Sequence, residues 1–302
     1  MTTLTDLIES IAVTEANTVA VAAAADREVM EAISLAIGRG MASFRLYDDE
    51  SKLKELIHSD FPHLVGHPKI QLFHVKGAAQ AAKEAVKSVY MNDSNVLMKG
   101  HIPTAVLMKA VLNPEFGLRT GSVLSHVAAF EIEGFERLIF ITDAGMNISP
   151  DLQQKAQIIQ NAVQIARAVG VDLPIVAPLA AVEVINPNMQ ATLDAAALTA
   201  MNRRGQIKDC IVDGPLALDN AISLEAAKNK GLMGDTAGRA DILLVPNIES
   251  GNILYKSLVY FSNAKVGGVI AGAKAPIVLT SRADSAESKL FSLALAICSS
   301  TI

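Results

Sequence analysis

The stretch Thr18-Val19-Ala20-Val21-Ala22-Ala23-Ala24-Ala25-Asp26-Arg27-Glu28-Val29-Met30 decides how the chain is read. Residues 18–24 are a short β-prone apolar run. Asp26-Arg27-Glu28 then opens a helical pattern in which Val29, Met30, Ile33, Leu35 and Ile37 are apolar, stopped by Gly38 and Gly40. The unit recurs, with strand patterns at 42–46, 70–74 and 95–98 followed by helical patterns at 50–57, 78–90 and 104–111. Strands alternating with helices of about ten residues imply a parallel sheet with helices on its faces.

The pattern changes at the turn-rich link Asn113-Pro114-Glu115-Phe116-Gly117. Two apolar runs follow, 122–132 and 137–142, separated only by Glu133-Gly134-Phe135-Glu136, which is hairpin spacing and not a crossover. A mixed sheet therefore begins here, with a domain boundary near residue 118. Ser149-Pro150-Asp151 predicts a helix start, Ser149 as N-cap and Pro150 at the first helical position. Strand–helix alternation then continues to the C-terminus.

Composition narrows the class. The chain has 302 residues, a net charge of −5 and 51% hydrophobic residues, yet only 4% aromatic residues and no Trp. That length suits about two domains, and the aliphatic bias suits buried parallel strands. Every apolar stretch is interrupted well before the roughly 18 residues of a membrane span, and the N-terminus lacks a basic segment followed by an apolar one. A cytoplasmic location, with no membrane partner, is expected. The lack of a long basic run argues against nucleic acid. Cys210 and Cys298 read as separate buried thiols without metal spacing. His63 and His67, near His58 and His74, stand among Pro62, Gly66 and Pro68, so a solvated loop is expected and no metal site. Gly38-Arg39-Gly40 follows a helix and reads as its stop.

The chemistry concentrates late in the chain. Gly267-Gly268-Val269-Ile270-Ala271-Gly272-Ala273-Lys274-Ala275-Pro276-Ile277-Val278-Leu279 leads into Thr280-Ser281-Arg282-Ala283-Asp284 just before a helical pattern. A hydroxyl and a guanidinium between a strand end and a helix start suit an anion, and Arg282 offers a planar fork for phosphate. A plainer reading has Asp284 as helix cap and Glu287 completing an acidic capping box; the two are compatible for different residues. Asn247 to Lys256, which includes Asn252, and Thr142-Asp143-Ala144-Gly145-Met146-Asn147 each follow a strand with small polar residues. Both suit either a cleft or ordinary turn chemistry.

Read together, these segments resemble the phosphate acetyltransferase and phosphate butyryltransferase family. The matching pieces are Thr142 to Asn147, Asp213-Gly214-Pro215-Leu216-Ala217-Leu218-Asp219, Ala240-Asp241-Ile242-Leu243-Leu244-Val245-Pro246 running on through Gly251 to Lys256, and Gly272 to Ser285. They occur in family order over nearly the whole chain, and the Thr-Ser-Arg-Ala-Asp-Ser form looks more like the butyryl branch. The resemblance implies a two-domain α/β/α architecture like that of isocitrate and isopropylmalate dehydrogenases. The first domain would be 1–118 plus 272–302, and the second 119–271, which would carry dimerisation into a homodimer or higher homo-oligomer. It implies reversible acyl transfer: acyl-CoA plus inorganic phosphate gives acyl phosphate plus CoA, with coenzyme A as substrate and no tightly bound cofactor.

Residue by residue, the resemblance assigns Ser281 to the reacting thioester or phosphate and Arg282 to the phosphate. Thr104, Lys109, Asn252 and Lys274 are assigned to substrate binding, Lys109 standing where the family has an Arg. A carboxylate seven residues after the motif Ser serves as base in the acetyl branch; that position here is Ser288. Asp284, one helical turn earlier, is therefore the expected base and Glu287 the second choice. The basic stretch of the acetyl branch is reduced to Lys83 and Lys87. Phosphate acetyltransferase activity, a metal-dependent β-decarboxylating dehydrogenase and a non-catalytic ligand- or CoA-binding protein are the alternatives. The dehydrogenase would need an Asp cluster for a metal and a nicotinamide site, which the sequence lacks.

Overall fold

A computed structural model describes residues 3–11, 17–232, 234–279 and 284–300. The chain divides into two compact units, one of Thr5–Ser122 with Gly267–Ile302 and one of Met1–Leu4 with Val123–Val266.

In the first of these, α1 (Leu4–Ser10), β1 (Thr18–Ala22), α2 (Arg27–Gly38), β2 (Ser43–Asp48), α3 (Glu50–Asp60), β3 (Ile70–His74), α4 (Ala78–Tyr90), β4 (Val96–Lys99) and α5 (Thr104–Val111) follow in order. The second unit supplies β5 (Ser125–Glu131), β6 (Ile139–Thr142), α6 (Leu152–Ala168), β7 (Ile175–Pro178), α7 (Gln190–Arg203), β8 (Ile211–Val212), α8 (Leu218–Ile222), α9 (Leu224–Asn229), β9 (Ile242–Leu244) and α10 (Ile248–Phe261). The chain changes unit within β10 (Lys265–Ala271) and ends with β11 (Ile277–Val278) and α11 (Ala286–Ser299).

Strand order in the first unit is β3-β2-β1-β4-β11-β10, parallel except for the antiparallel pair β10–β11. In the other it is β5-β6-β9-β7-β8, parallel except for the hairpin pair β5–β6. The expected dehydrogenase-like two-domain α/β/α architecture is thus corrected. Among the described residues the fold is α/β, with six strands in mixed order in the first unit and five in the other. The physical reason is local, because the short turn at 272–276 returns the chain antiparallel where a crossover helix would have kept it parallel, as the expected hairpin turn at 132–138 also does.

Local chemistry explains the helices. Asp26 caps α2 by accepting from Val29 N, and the buried face runs Val29, Met30, Ala32, Ile33, Ala36 and Ile37, a stripe at helical spacing. Helix α6 starts two residues later than expected. Asp151 is the cap, accepting from Gln154 N, while Gln154 accepts from Asp151 N to close a capping box. The cap of α11 is Ser285 and not Asp284, since the Ser285 side chain accepts from Ser288 N.

Candidate functional site

Five parallel strands of the first unit end along one edge, the usual place for ligands in an α/β sheet. Register makes the central ends level: Ala22 of β1 pairs with Lys99 of β4, and Val278 of β11 with Met98. Lys99 is buried although it ends an otherwise apolar strand, and its Nζ donates to the carbonyls of Gly100 at 3.1 Å and Ile102 at 3.3 Å. Gly100 is required there, because a Cβ would lie 2.0 Å from the carbonyl oxygen of Ala23. Beyond it, His101 Nδ1 lies 3.2 Å from Asp26 Oδ2, and Thr104 opens α5.

The residues expected from the sequence are distributed unevenly around this edge. Ser281 and Arg282 lie outside the described residues. Asp284 precedes the cap of α11, so it does not share a helical face with Ser288; its carbonyl accepts from the buried ammonium of Lys289, which also pairs with Glu28 at 3.0 Å. Glu287 is exposed and lines a separate cavity of about 470 Å³ with Thr5, Glu9, Leu35 and Arg39. Lys109 is exposed in the last turn of α5, about 7.5 Å of helical rise from Thr104. Lys274 stands before β11, at the edge where that strand begins, with its ammonium 4.4 Å from the Tyr90 ring.

In the other unit the loop after β6 uses its acid for structure. Both Asp143 oxygens are committed: Oδ1 accepts from Gly145 N and Met146 N, and Oδ2 from Asn147 N and Nδ2, at 2.6–3.1 Å. Asn252, exposed in the second turn of α10, donates to Ala144 O at 3.5 Å. A cavity of about 1080 Å³ opens where β7 and β9 end, lined among others by Leu179, Val245, Asn247 and Ser250. It holds a buried pair that sequence reasoning missed, Lys155 Nζ to Asp194 Oδ2 at 2.6 Å, with Gln190 donating to the other carboxylate oxygen.

Burial pushes the thiols of Cys210 and Cys298 up to about 11, which makes both poor nucleophiles near neutral pH. Among the described residues no group of three or more His, Cys, Asp or Glu side chains is placed to hold a metal ion, and no helix is long and apolar enough to cross a membrane.

Sequence reasoning also missed Lys99 and the His101–Asp26 pair. A charged residue closing an apolar strand was a usable signal for Lys99; nothing local pairs His101 with a residue 75 positions earlier.

Comparison with known proteins agrees with the α/β reading and corrects its detail. A family model described as "Phosphate acetyl/butaryl transferase" matches residues 73–297. The chain is 57% identical over 297 residues to a probable phosphate butyryltransferase of Bacillus subtilis, covering 98% of both. It is 49% identical to the phosphate butyryltransferase of Clostridium beijerinckii, covering 92% of this chain and 91% of that one. Among solved structures, a branched-chain phosphotransacylase from Enterococcus faecalis superposes with a TM-score of 0.84 at 37% identity, covering 94% of this chain and 99% of that one. A 4-hydroxythreonine-4-phosphate dehydrogenase from Klebsiella pneumoniae is distant in fold, at a TM-score of 0.56 and 12% identity over 94% and 99%. The dehydrogenase-like architecture is therefore a remote likeness, and the phosphotransacylase fold is the matching one. With its motifs in order and this family model spanning most of its length, the chain belongs to the phosphate acetyl/butyryl transferase family and is a phosphate acyltransferase.

Proposed function

We propose that the enzyme transfers a short-chain, butyryl-like acyl group reversibly between coenzyme A and inorganic phosphate. The observation that carries this is the 57% identity, over 98% of both chains, to a protein named as a probable phosphate butyryltransferase. Coenzyme A is a substrate in this reading, no cofactor stays bound, and the reaction runs in the cytoplasm. Ser281 hydrogen-bonds the reacting thioester or the phosphate and Arg282 anchors the phosphate, the guanidinium fork matching phosphate oxygens. Thr104, Lys109, Asn252 and Lys274 are the further substrate-binding positions, and Asp284 and Glu287 are the carboxylates that follow the Ser–Arg pair as candidates for proton transfer. Rate enhancement in such a reaction comes mainly from positioning and from stabilising charge on the transferred group.

Self-association through the second unit belongs to the same reading. It is supported by the exposed Ile253, Tyr260 and Phe261 on α10.

Purified protein is expected to release free thiol from butyryl-CoA only when inorganic phosphate is present. Thiol release indifferent to phosphate, or none with any short acyl-CoA, overturns the proposal. An acetyl preference has its own support in the 45% identity to the phosphate acetyltransferase of Thermotoga maritima. Comparing kcat/KM for acetyl-, butyryl- and isobutyryl-CoA separates the two, because one methylene is worth about 1–3 kcal/mol in an apolar pocket.

A further inference from the structure

Attack by a CoA thiol on an acyl phosphate requires the thiol proton to leave, and a thiol with a pKa near 8.5 keeps most of its proton at neutral pH. The described carboxylates of the C-terminal segment are poorly arranged for that task. Asp284 stands outside the helix expected to aim it, and Glu287 lines a different cavity.

The end of β4 presents another group, held from three directions. The backbone N–H of His101 donates to Ala23 O at 2.8 Å, as Gly100 N–H does to Ala22 O. Ala23 itself has a φ of 59°, an unusual conformation for a residue with a Cβ, and this turns its carbonyl toward His101. Lys99 grips the carbonyls of Gly100 and Ile102 on either side of His101. The imidazole has its Nδ1 3.2 Å from Asp26 Oδ2, and Asp26 is anchored by its other oxygen, which accepts from Val29 N at 3.1 Å as the cap of α2. A carboxylate on that side favours the proton on Nδ1 and leaves Nε2 as an acceptor. The side chain is 56% exposed, so Nε2 is reachable. The neighbouring strand β11 runs parallel to β4 and ends at Val278, which pairs with Met98, one residue before the end of β4, so both strands end on the same side of the sheet.

We propose that His101, oriented by Asp26, is the proton-transfer residue of the acyltransferase, ahead of Asp284 and Glu287. The inference rests on the phosphate acyltransferase reading. In the direction of acyl-CoA synthesis, His101 Nε2 takes the S–H proton as the sulfur forms its bond to the acyl carbon. The bond from that carbon to the phosphate oxygen breaks, its electron pair leaves with phosphate, and the imidazolium returns the proton to give hydrogen phosphate. The reverse reaction runs through the same steps, and no other reactant is needed.

The test uses the full-length enzyme and acyl phosphate with CoA. His101→Ala is expected to lower kcat about a hundredfold or more, the usual range for general base catalysis, with KM for acyl phosphate within about threefold of the parent. Added imidazole should restore part of the lost rate in this variant and leave the parent unchanged. Asp26→Asn keeps a side chain that caps helices as well as Asp does but removes the orienting charge, and should lower kcat about tenfold with an unchanged melting temperature. Activity of His101→Ala within twofold of the parent, or a loss that imidazole does not restore, overturns the inference. If the parent shows no phosphate-dependent acyl transfer, the acyltransferase reading itself fails, which the parent control reveals before any variant is measured.

Discussion

Helices α10 and α11 are each 14 residues long and rich in Leu, Ile and aromatic side chains, yet they have opposite fates. From Lys289 to Ile297 every residue of α11 is buried. In α10 only Gly251 is buried, while Ile253 is 66% exposed and Phe261 87% exposed. Leu254, Tyr255, Leu258 and Val259 of α10 do pack on the core that contains Phe130, Ile141 and Leu243, so the helix is docked along one side only. Apolar content alone does not determine burial. A helix is buried all round only when its own unit covers every face, and an apolar face left uncovered is material for an interface.

The contrast can be broken most severely in α11. Leu293→Ala should cost about 2–5 kcal/mol in urea unfolding, the range for emptying a fully packed site; a cost below about 1 kcal/mol would mean that α11 is not part of the cooperative core. Cys298, near the end of the same helix, gives a second reading. Burial raises its thiol from 9.0 to about 11, against a smaller opposing hydrogen bond from Ser10. Its thiolate fraction at pH 8 should be about a hundredfold lower folded than unfolded, and maleimide labelling of the native protein should speed up about tenfold per pH unit toward 11. Fast labelling at pH 8 would show that the end of α11 opens readily.

Smaller effects belong to α10. Gly251→Ala puts a Cβ 2.8 Å from both Asp143 O and Val245 Cγ2, and should destabilise by about 1–3 kcal/mol through overpacking. The smallest folding effect is expected for Phe261→Ser, within about 0.5 kcal/mol as for other exposed sites. The same substitution should shift sedimentation toward smaller species where α10 carries self-association. A large loss of folding stability with unchanged sedimentation would instead place Phe261 in a packed core.

Much of this was legible in the residues. The switch between period-two and helical spacing located the strand–helix units, Glu133-Gly134-Phe135-Glu136 announced the β5–β6 hairpin, and Asp26 opened α2 as its cap. Caps were less secure where several capping residues are adjacent, as at Ser149 to Asp151 and at Asp284-Ser285, because each can accept from the first turn and the backbone selects one. At the candidate site, the pattern around Asp143 suited either a cleft or ordinary turn chemistry, and its carboxylate is spent on its own turn.

By itself, then, the amino-acid sequence determined the α/β class, the order of its elements and the phosphate acyltransferase family, because these depend on local periodicity and on motifs contiguous in the chain. Tertiary structure alone decided that β10 and β11 pair antiparallel, that α11 is enclosed while α10 is not, and that His101 meets Asp26. With β11 also paired to β4, each of these depends on contacts between residues distant in sequence, and local pattern places no constraint on which distant surfaces meet.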